Sequence, residues 1–436
     1  MTYEDQYLRY FANSNYYPPN LYINSSGEQL GQGIRNLAGF GNIEFDVSSK
    51  ITLKAGARYT NSRINAVNCG YTGTNGNVDK LFNILGGISG LPFTPITPSQ
   101  CYTLNSTPPA GFLPPSVTIN SPTLSGAAGL GIPGIPLDAT LQQSNVSWRV
   151  GADFKATDDV LLYANVSKGF KAGSFPALAA AAYISALPVT QESVTAYEAG
   201  FKAQLDDNRV QWNGAAFYYD YKDKQIRGKL FDFIFGTLDT LVNVPKSRII
   251  GVETDVTVRP TNSLTLSVAG TYLNSKIQEY IGYDIFGGID LPTFKPGQSN
   301  TQDLSGNVIP YTPKFSAVFN GDFRANPGGA TPFIGITAEY KSKQDAAIGG
   351  SNSTLPVGPR YRLAPGVINP YTIDSYTTID MRVGYETEGG KFRVMLWGKN
   401  IFNKYYWTAV IPSSDSSARL AGMPATFGVS FAQKFK

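Results

Sequence analysis

Apolar and polar residues alternate with a period of two along much of this chain. In Ile51 to Tyr59, the residues Ile51, Leu53, Ala55, Ala57 and Tyr59 share one face, and Thr52, Lys54, Gly56 and Arg58 share the other. The same split recurs in Val146, Trp148, Val150, Ala152 and Phe154 against Arg149, Asp153 and Lys155. It recurs with Ile250, Val252, Val256 and Val258 against Glu253, Asp255 and Arg259, and in Ile379, Met381, Val383 and Tyr385 against Asp380 and Arg382. Phe392, Val394 and Leu396 likewise oppose Lys391, Arg393, Trp397 and Lys399. The pattern predicts thirteen strands, each with one apolar and one wet face.

The connections alternate in length. Tight turns are expected at Ser48-Ser49-Lys50, Thr157-Asp158-Asp159, Asp206-Asp207-Asn208, Pro260-Thr261-Asn262 and Glu388-Gly389-Gly390. Between them lie long polar segments at about 65–143, 171–192, 222–246, 279–312, 342–374 and 403–424. Short turns at one end and long loops at the other form the plan of a transmembrane β-barrel, with turns periplasmic and loops extracellular. A soluble β-sandwich also alternates, but it gives no reason for every second connection to be long. The expected class is therefore all-β, an antiparallel transmembrane barrel. An all-antiparallel barrel closes only on an even strand count, so thirteen strands predict further strands upstream. Counted back from a periplasmic C-terminus, residues 1–33 are expected to be the remnant of an extracellular loop, with the barrel at 34–436.

Composition fits this picture. Tyr and Phe number 26 and 25, Gly reaches 45, and charged residues make up only 16%. There is no apolar run of about 18 residues, so no helical span is expected. The opening segment carries Glu4, Asp5 and Arg9 and has no apolar core of a signal peptide. Either the chain is cytoplasmic or its beginning is missing, and the export-type pattern that follows favours the second. The net charge of +4 is dispersed, so nucleic acid is not an expected partner.

Histidine is absent, which removes the Ser-His-Asp triad, the HExxH zinc site and most general-base schemes; neither an enzyme, a cofactor nor a metal site is expected. Cys69 and Cys101 share one Gly/Pro/Asn-rich stretch at a spacing that fits no metal or redox motif. A loop disulfide is the expected assignment, contributing roughly 3–4 kcal/mol in the chain-entropy model, with two unpaired thiols as the alternative.

Particular segments resemble the TonB-dependent outer-membrane receptor family. They are DDVLLYANVSKGFKAGSFP at 158–176, ESVTAYEAGFKAQLDDNRVQWNGAAFYYDYKD at 192–223, RIIGVETDVTVRPTNSLTLSVAGTYLNSKI at 248–277, GKNIFNKYYW at 398–407 and the closing AGMPATFGVSFAQKFK. The resemblance implies uptake of a scarce ligand across the outer membrane of a Gram-negative bacterium, driven by TonB acting on a plug domain. It also implies barrels of about 22 strands, of which about nine, together with the plug and TonB box, are not matched here. TonB would then act only through a missing plug, and the chain is expected to be a truncated receptor not competent alone. The chain ends on Lys436, where the family ends on an aromatic read by the barrel-assembly machinery.

The resemblance implies outer-membrane lipid, the assembly machinery and a small-molecule ligand as partners, the ligand being an iron-siderophore, a vitamin or a saccharide. Aromatic loop residues are the expected binding elements, because a rigid ring beside hydrogen-bonding groups suits all three. They are Tyr405, Tyr406, Trp407, Phe170 and Phe175, with a girdle position at the membrane boundary as the competing role for Tyr405 and Phe170. Other function classes are a passive porin and a loop-presenting surface binding protein.

Overall fold

The computed structural model describes residues 27–71, 77–178, 180–232, 236–283, 301–325, 328–348, 371–412 and 417–435. Thirteen strands follow one another as antiparallel neighbours in chain order. They are β1 (Gly27–Asp46), β2 (Ile51–Tyr71), β3 (Leu137–Lys155), β4 (Val160–Lys171), β5 (Glu192–Leu205), β6 (Val210–Asp232) and β7 (Gly236–Thr261). The series continues with β8 (Leu264–Glu279), β9 (Phe315–Arg324), β10 (Ala330–Lys341), β11 (Tyr376–Thr387), β12 (Phe392–Lys399) and β13 (Thr426–Gln433). A short strand, Val117–Ile119, adds to the edge of β3. Among the described residues no helix is long and apolar enough to cross a membrane, which is silent about strands.

The first strand begins at Gly27, ahead of Ile34 where alternation becomes legible. β1 and β13 run in the same direction, because an even number of antiparallel steps links them, so they cannot continue the antiparallel pairing by meeting each other.

Turn chemistry sets one end of the sheet. Ser48 Oγ accepts from the amides of Lys50 and Ile51, both at 3.2 Å. Asp206, Asp207 and Asn208 all take left-handed φ values of 53°, 51° and 67°, the region that Asp and Asn tolerate best after Gly.

The register assigns each face. Ala57 lies opposite Trp148, and Lys54 opposite Gly151 with its Nζ 2.7 Å from Asp153. One wall of the sheet is therefore apolar, with Leu53, Val150, Leu162, Tyr197, Trp212, Val252, Val268, Phe319, Ile334, Val383, Leu396 and Val429 all exposed. The other wall carries Lys54, Asp153 and the Arg382–Asp322 pair. Among the described residues no buried core lies between sheet layers at this level, as expected where one wall faces hydrocarbon and the other a wet interior.

Towards the loop end the polarity reverses. On β2 the outward positions become Asn61, Arg63 and Asn65, while the inward ones become Ile64 and Ala66, both buried. On β3 the outward Ser144 and Gln142 face inward Leu141, Ala139 and Leu137, which are likewise buried. The longest strands thus leave the apolar environment partway along and continue as an ordinary soluble sheet with an apolar inner face. The apolar stretch Ile51–Tyr59 matches the roughly 9–11 residues that cross a bilayer when tilted.

Aromatic rings on the inner wall lie over glycines of the next strand: Tyr163 over Gly200, Phe217 over Gly251, Phe333 over Gly384 and Trp397 over Gly428. A Cβ at Gly384 would meet both the Phe333 ring and the Val394 carbonyl, so the neighbouring backbone would have to move. Gly384→Val is expected to cost about 1–3 kcal/mol by overpacking. A lower temperature for loss of the folded, fast-migrating gel band checks this; an unchanged transition contradicts it.

Candidate functional site

At the loop end the connections fold into two bodies. The first is a cap built from 77–136 and 172–191 on the inner faces of β2 and β3. Helix α1 (Val78–Ile88) buries Val78, Phe82 and Leu85 against Tyr102, Leu104 and Leu130. A second cluster packs Ile64, Leu137 and Leu141 against Phe175 and Tyr183. Tyr183 is fully buried and donates to the Pro136 carbonyl at 3.0 Å. Buried polar groups are satisfied in the same way: Thr103 Oγ1 donates to Ala180 O at 2.7 Å and accepts from Gly70 N at 2.8 Å. Cys69 and Cys101 are joined, which ties the cap to the end of β2 beside the Tyr71–Cys101 bridge.

The second body surrounds the tip of the β6–β7 hairpin. Sequence reading places a loop at 222–246; the structure corrects this, because the ladder runs on through Asp232–Gly236. It is interrupted once, where Pro245 has no N–H to donate and Asp223 opposite takes φ 53°. The Asn243 amide then donates to the Asp223 carbonyl at 2.7 Å. Beyond this break the arm carries a cross-strand pair, Lys229 opposite Asp239.

A pocket of about 290 Å³ lies between this arm and the loops after β8, β10 and β12. Its apolar walls include Ile226, Leu304, Ile348 and Val410, with Tyr280, Tyr283 and Tyr311 among them. Lys229 Nζ lies 2.8 Å and Arg227 Nη2 3.0 Å from the Asp239 carboxylate. The Lys229 side chain is only 2% exposed. Tyr311 donates to the Val410 carbonyl at 2.8 Å, which pins the loop after β12 to the loop before β9. The pocket joins an apolar aromatic surface to a few fixed charged groups, the usual make-up of a small-molecule site.

Burial pushes the Tyr280 hydroxyl up to about 12. Its ordinary value is near 10, so its packing contribution is complete below about pH 10 and is lost as pH rises towards 12. Near-UV circular dichroism of the wild type is expected to fall in that window and that of Tyr280→Phe to fall less; superimposable curves would contradict this.

The aromatic residues singled out from sequence are dispersed. Phe175, 4% exposed, lies in the cap core, and Phe170 is half-buried at the outward loop end of β4 with Lys168 Nζ 5.6 Å above its ring. Tyr406 stacks on Tyr376 at 4.3 Å, and burial raises its hydroxyl, helped by Tyr376 and Glu339. Trp407 starts a short hairpin, Trp407–Pro412 with Ser417–Ala421, meets Tyr405 edge-on at 5.1 Å and has Arg419 5.2 Å over its ring. Tyr405 is 66% exposed. Trp407 packs against Val410, itself a pocket residue, so this hairpin alone of the sequence candidates adjoins the pocket. Lys229, Asp239, Tyr280 and Tyr311 were missed. The available signal was the alternation of Ile226, Gly228 and Leu230 within the segment read as loop. Among the described residues no cluster of three or more His, Cys, Asp or Glu is placed to hold a metal ion.

An antiparallel wall that is apolar outside and charged inside, with a pocket among the loops at one end, defines a strand-built membrane protein. The sequence profile described as TonB dependent receptor-like, beta-barrel matches residues 2–401, and the chain belongs to that family. Members of the family are outer-membrane transport receptors. The chain is 23% identical over 294 residues to the pesticin receptor of Yersinia pestis, across 64% of this chain and 35% of that protein. It therefore spans about a third of the length of the curated relatives it matches. Among solved structures it is similar to the ferric yersiniabactin uptake receptor of Yersinia pestis, with TM-score 0.61, 14% identity, and coverage of 94% of this chain and 47% of that one. It is also similar to the closed ferric-catecholate import receptor of K12 E. coli, with TM-score 0.53, 17% identity, and coverage of 94% and 45%. A copper transporter is similar too, with TM-score 0.52, 12% identity, and coverage of 93% and 48%. At these identities the likeness shows the fold alone.

Proposed function

We propose that this chain forms part of a receptor that takes up a scarce small-molecule ligand, such as an iron-siderophore complex, by coupling to TonB through a plug domain. The loops face the outside of the cell and the C-terminus lies in the periplasm. The chain enters the membrane with the help of the barrel-assembly machinery and rests in outer-membrane lipid. The observation that carries the reading is the pocket between the β6–β7 arm and its neighbouring loops. Fixed charges and three tyrosines line an otherwise apolar space there, and it opens at the end where a ligand would arrive. Neighbours of the same fold named for ferric yersiniabactin and ferric catecholates make ferric chelates the first ligand class to test.

The test is titration of the detergent-solubilised chain with ferric yersiniabactin, a ferric catecholate and ferric citrate, read by tryptophan fluorescence. One of the three is expected to bind saturably, and Ile348→Trp, which fills the pocket, to weaken it on the order of tenfold or more. Binding of none of the three, or binding indifferent to Ile348→Trp, would overturn the reading.

A further inference from the structure

We infer that the outer wall of β6–β8 carries a binding site for a phosphorylated lipid headgroup, just beyond the loop-end limit of the apolar band. The register places two pairs of like charges directly opposite each other on the outward face: Lys222 against Lys246, and Arg248 against Lys276. Like charges in directly opposed positions destabilise a sheet unless something offsets them. The carboxylates on this face are Asp220, opposite Arg248, and Glu279, 3.8 Å from Lys246, which leaves four cations against two acids. Asp223, at the break in the ladder next along β6, also interacts with the Lys222 charge, so with it the cations still outnumber the acids, four to three. Among the described residues Lys222, Arg248 and Lys276 make no ion pair, and Lys222 and Lys276 are exposed.

What lies immediately below them identifies the occupant. Tyr218, Ile250 and Tyr272 end the apolar band on the same three strands, and a hydrophobic groove of about 720 Å³ runs from Tyr218 and Ile250 across β5 and β4 to β3. Its floor is a row of alanines in register, Ala152, Ala164, Ala199 and Ala216, each opposite the next. Tyr197 and Val166 form its rim. A molecule with an anionic head and long acyl chains fits both features at once: phosphate oxygens among the lysines and arginine, a chain along the alanine floor. A free phosphate would use only the first. Basic residues near an anionic lipid surface each strengthen the attraction by roughly fivefold in affinity.

The site rests on the proposed orientation, in which the loop end meets the outer leaflet. It is tested on the full chain in detergent by native mass spectrometry, with diphosphorylated lipid A and its dephosphorylated form as probes. Wild type is expected to retain the phosphorylated lipid selectively. Lys222→Gln with Arg248→Gln and Lys276→Gln is expected to weaken retention on the order of a hundredfold. The charge-conserving Lys222→Arg, Arg248→Lys, Lys276→Arg variant is expected to retain it, which separates lost charge from lost folding. Equal retention of both lipids, or a glutamine variant that binds like wild type, would overturn the site. The chelate titration on the same preparations keeps the two readings apart, since intact chelate binding with no phosphate selectivity sinks only the lipid site.

Discussion

Tyr183→Ala is expected to open the cap while the barrel strands stay folded. The ring is fully buried among Ile64, Leu137, Leu141 and Phe175, and its hydroxyl donates to Pro136. Truncating a buried aromatic costs about 3–5 kcal/mol. The cap has small cores of its own and a single disulfide tether, so a loss of that size is a large share of its stability. The strands below it are held by continuous ladders and depend little on it. Limited proteolysis is expected to cut the variant within 77–136 while the fast-migrating barrel band persists. Cap resistance equal to that of wild type would show that the cluster is not the cap's anchor.

The second large effect is expected at Asp239. Its carboxylate receives both Lys229, at 2.8 Å, and Arg227, at 3.0 Å. Asp239→Ala takes that carboxylate from a lysine that is almost wholly buried. Removing one partner of a buried pair costs about 3–5 kcal/mol, whereas replacing the whole pair by apolar residues is often neutral. Asp239→Ala is therefore expected to loosen the arm and abolish chelate binding. Lys229→Met with Asp239→Leu is expected to restore the arm but not the binding. Proteolysis of the arm reads the first property and fluorescence titration the second. Recovery of both in the double variant would make the pair a scaffold with no part in recognition.

The strand-turn framework was legible because lipid on one side and a wet interior on the other force a strict alternation. Ile51 to Tyr59 and Val146 to Phe154 show it without interruption. The tight turns were legible because Asp206, Asp207 and Asn208 favour the backbone region they occupy. Beyond Tyr59 the reading failed for a physical reason. The outward face there meets water, so the same strand continues with its phase reversed, and Ile64 and Ala66 register as a break in the pattern. In the β6–β7 arm, Gly228, Gly236 and Pro245 read as loop residues, although the ladder tolerates the proline through one interruption at Asp223. The pocket was hidden with the arm. Tyr280 and Tyr311 are distant in sequence from Lys229, and only packing of the loops brings them together. Composition pointed to Phe175 because aromatic rings suit ligands, but an aromatic ring suits a small core equally well.

The reversal of phase along β2 and β3 also works as a depth gauge. Sliding the sheet one pleat towards its turn end would carry Asn61 and Ser144 into hydrocarbon, with Arg63 at the boundary behind them. Sliding it the other way would lift Tyr59 and Val146 into water, where apolar area is lost to solvent. Charge carried into the bilayer is penalised more steeply the deeper it goes. Vertical position is thus specified to about one pleat, near 7 Å, and a bilayer that thickened or thinned by more than that would be felt first at this boundary, directly beneath the ligand-facing loops.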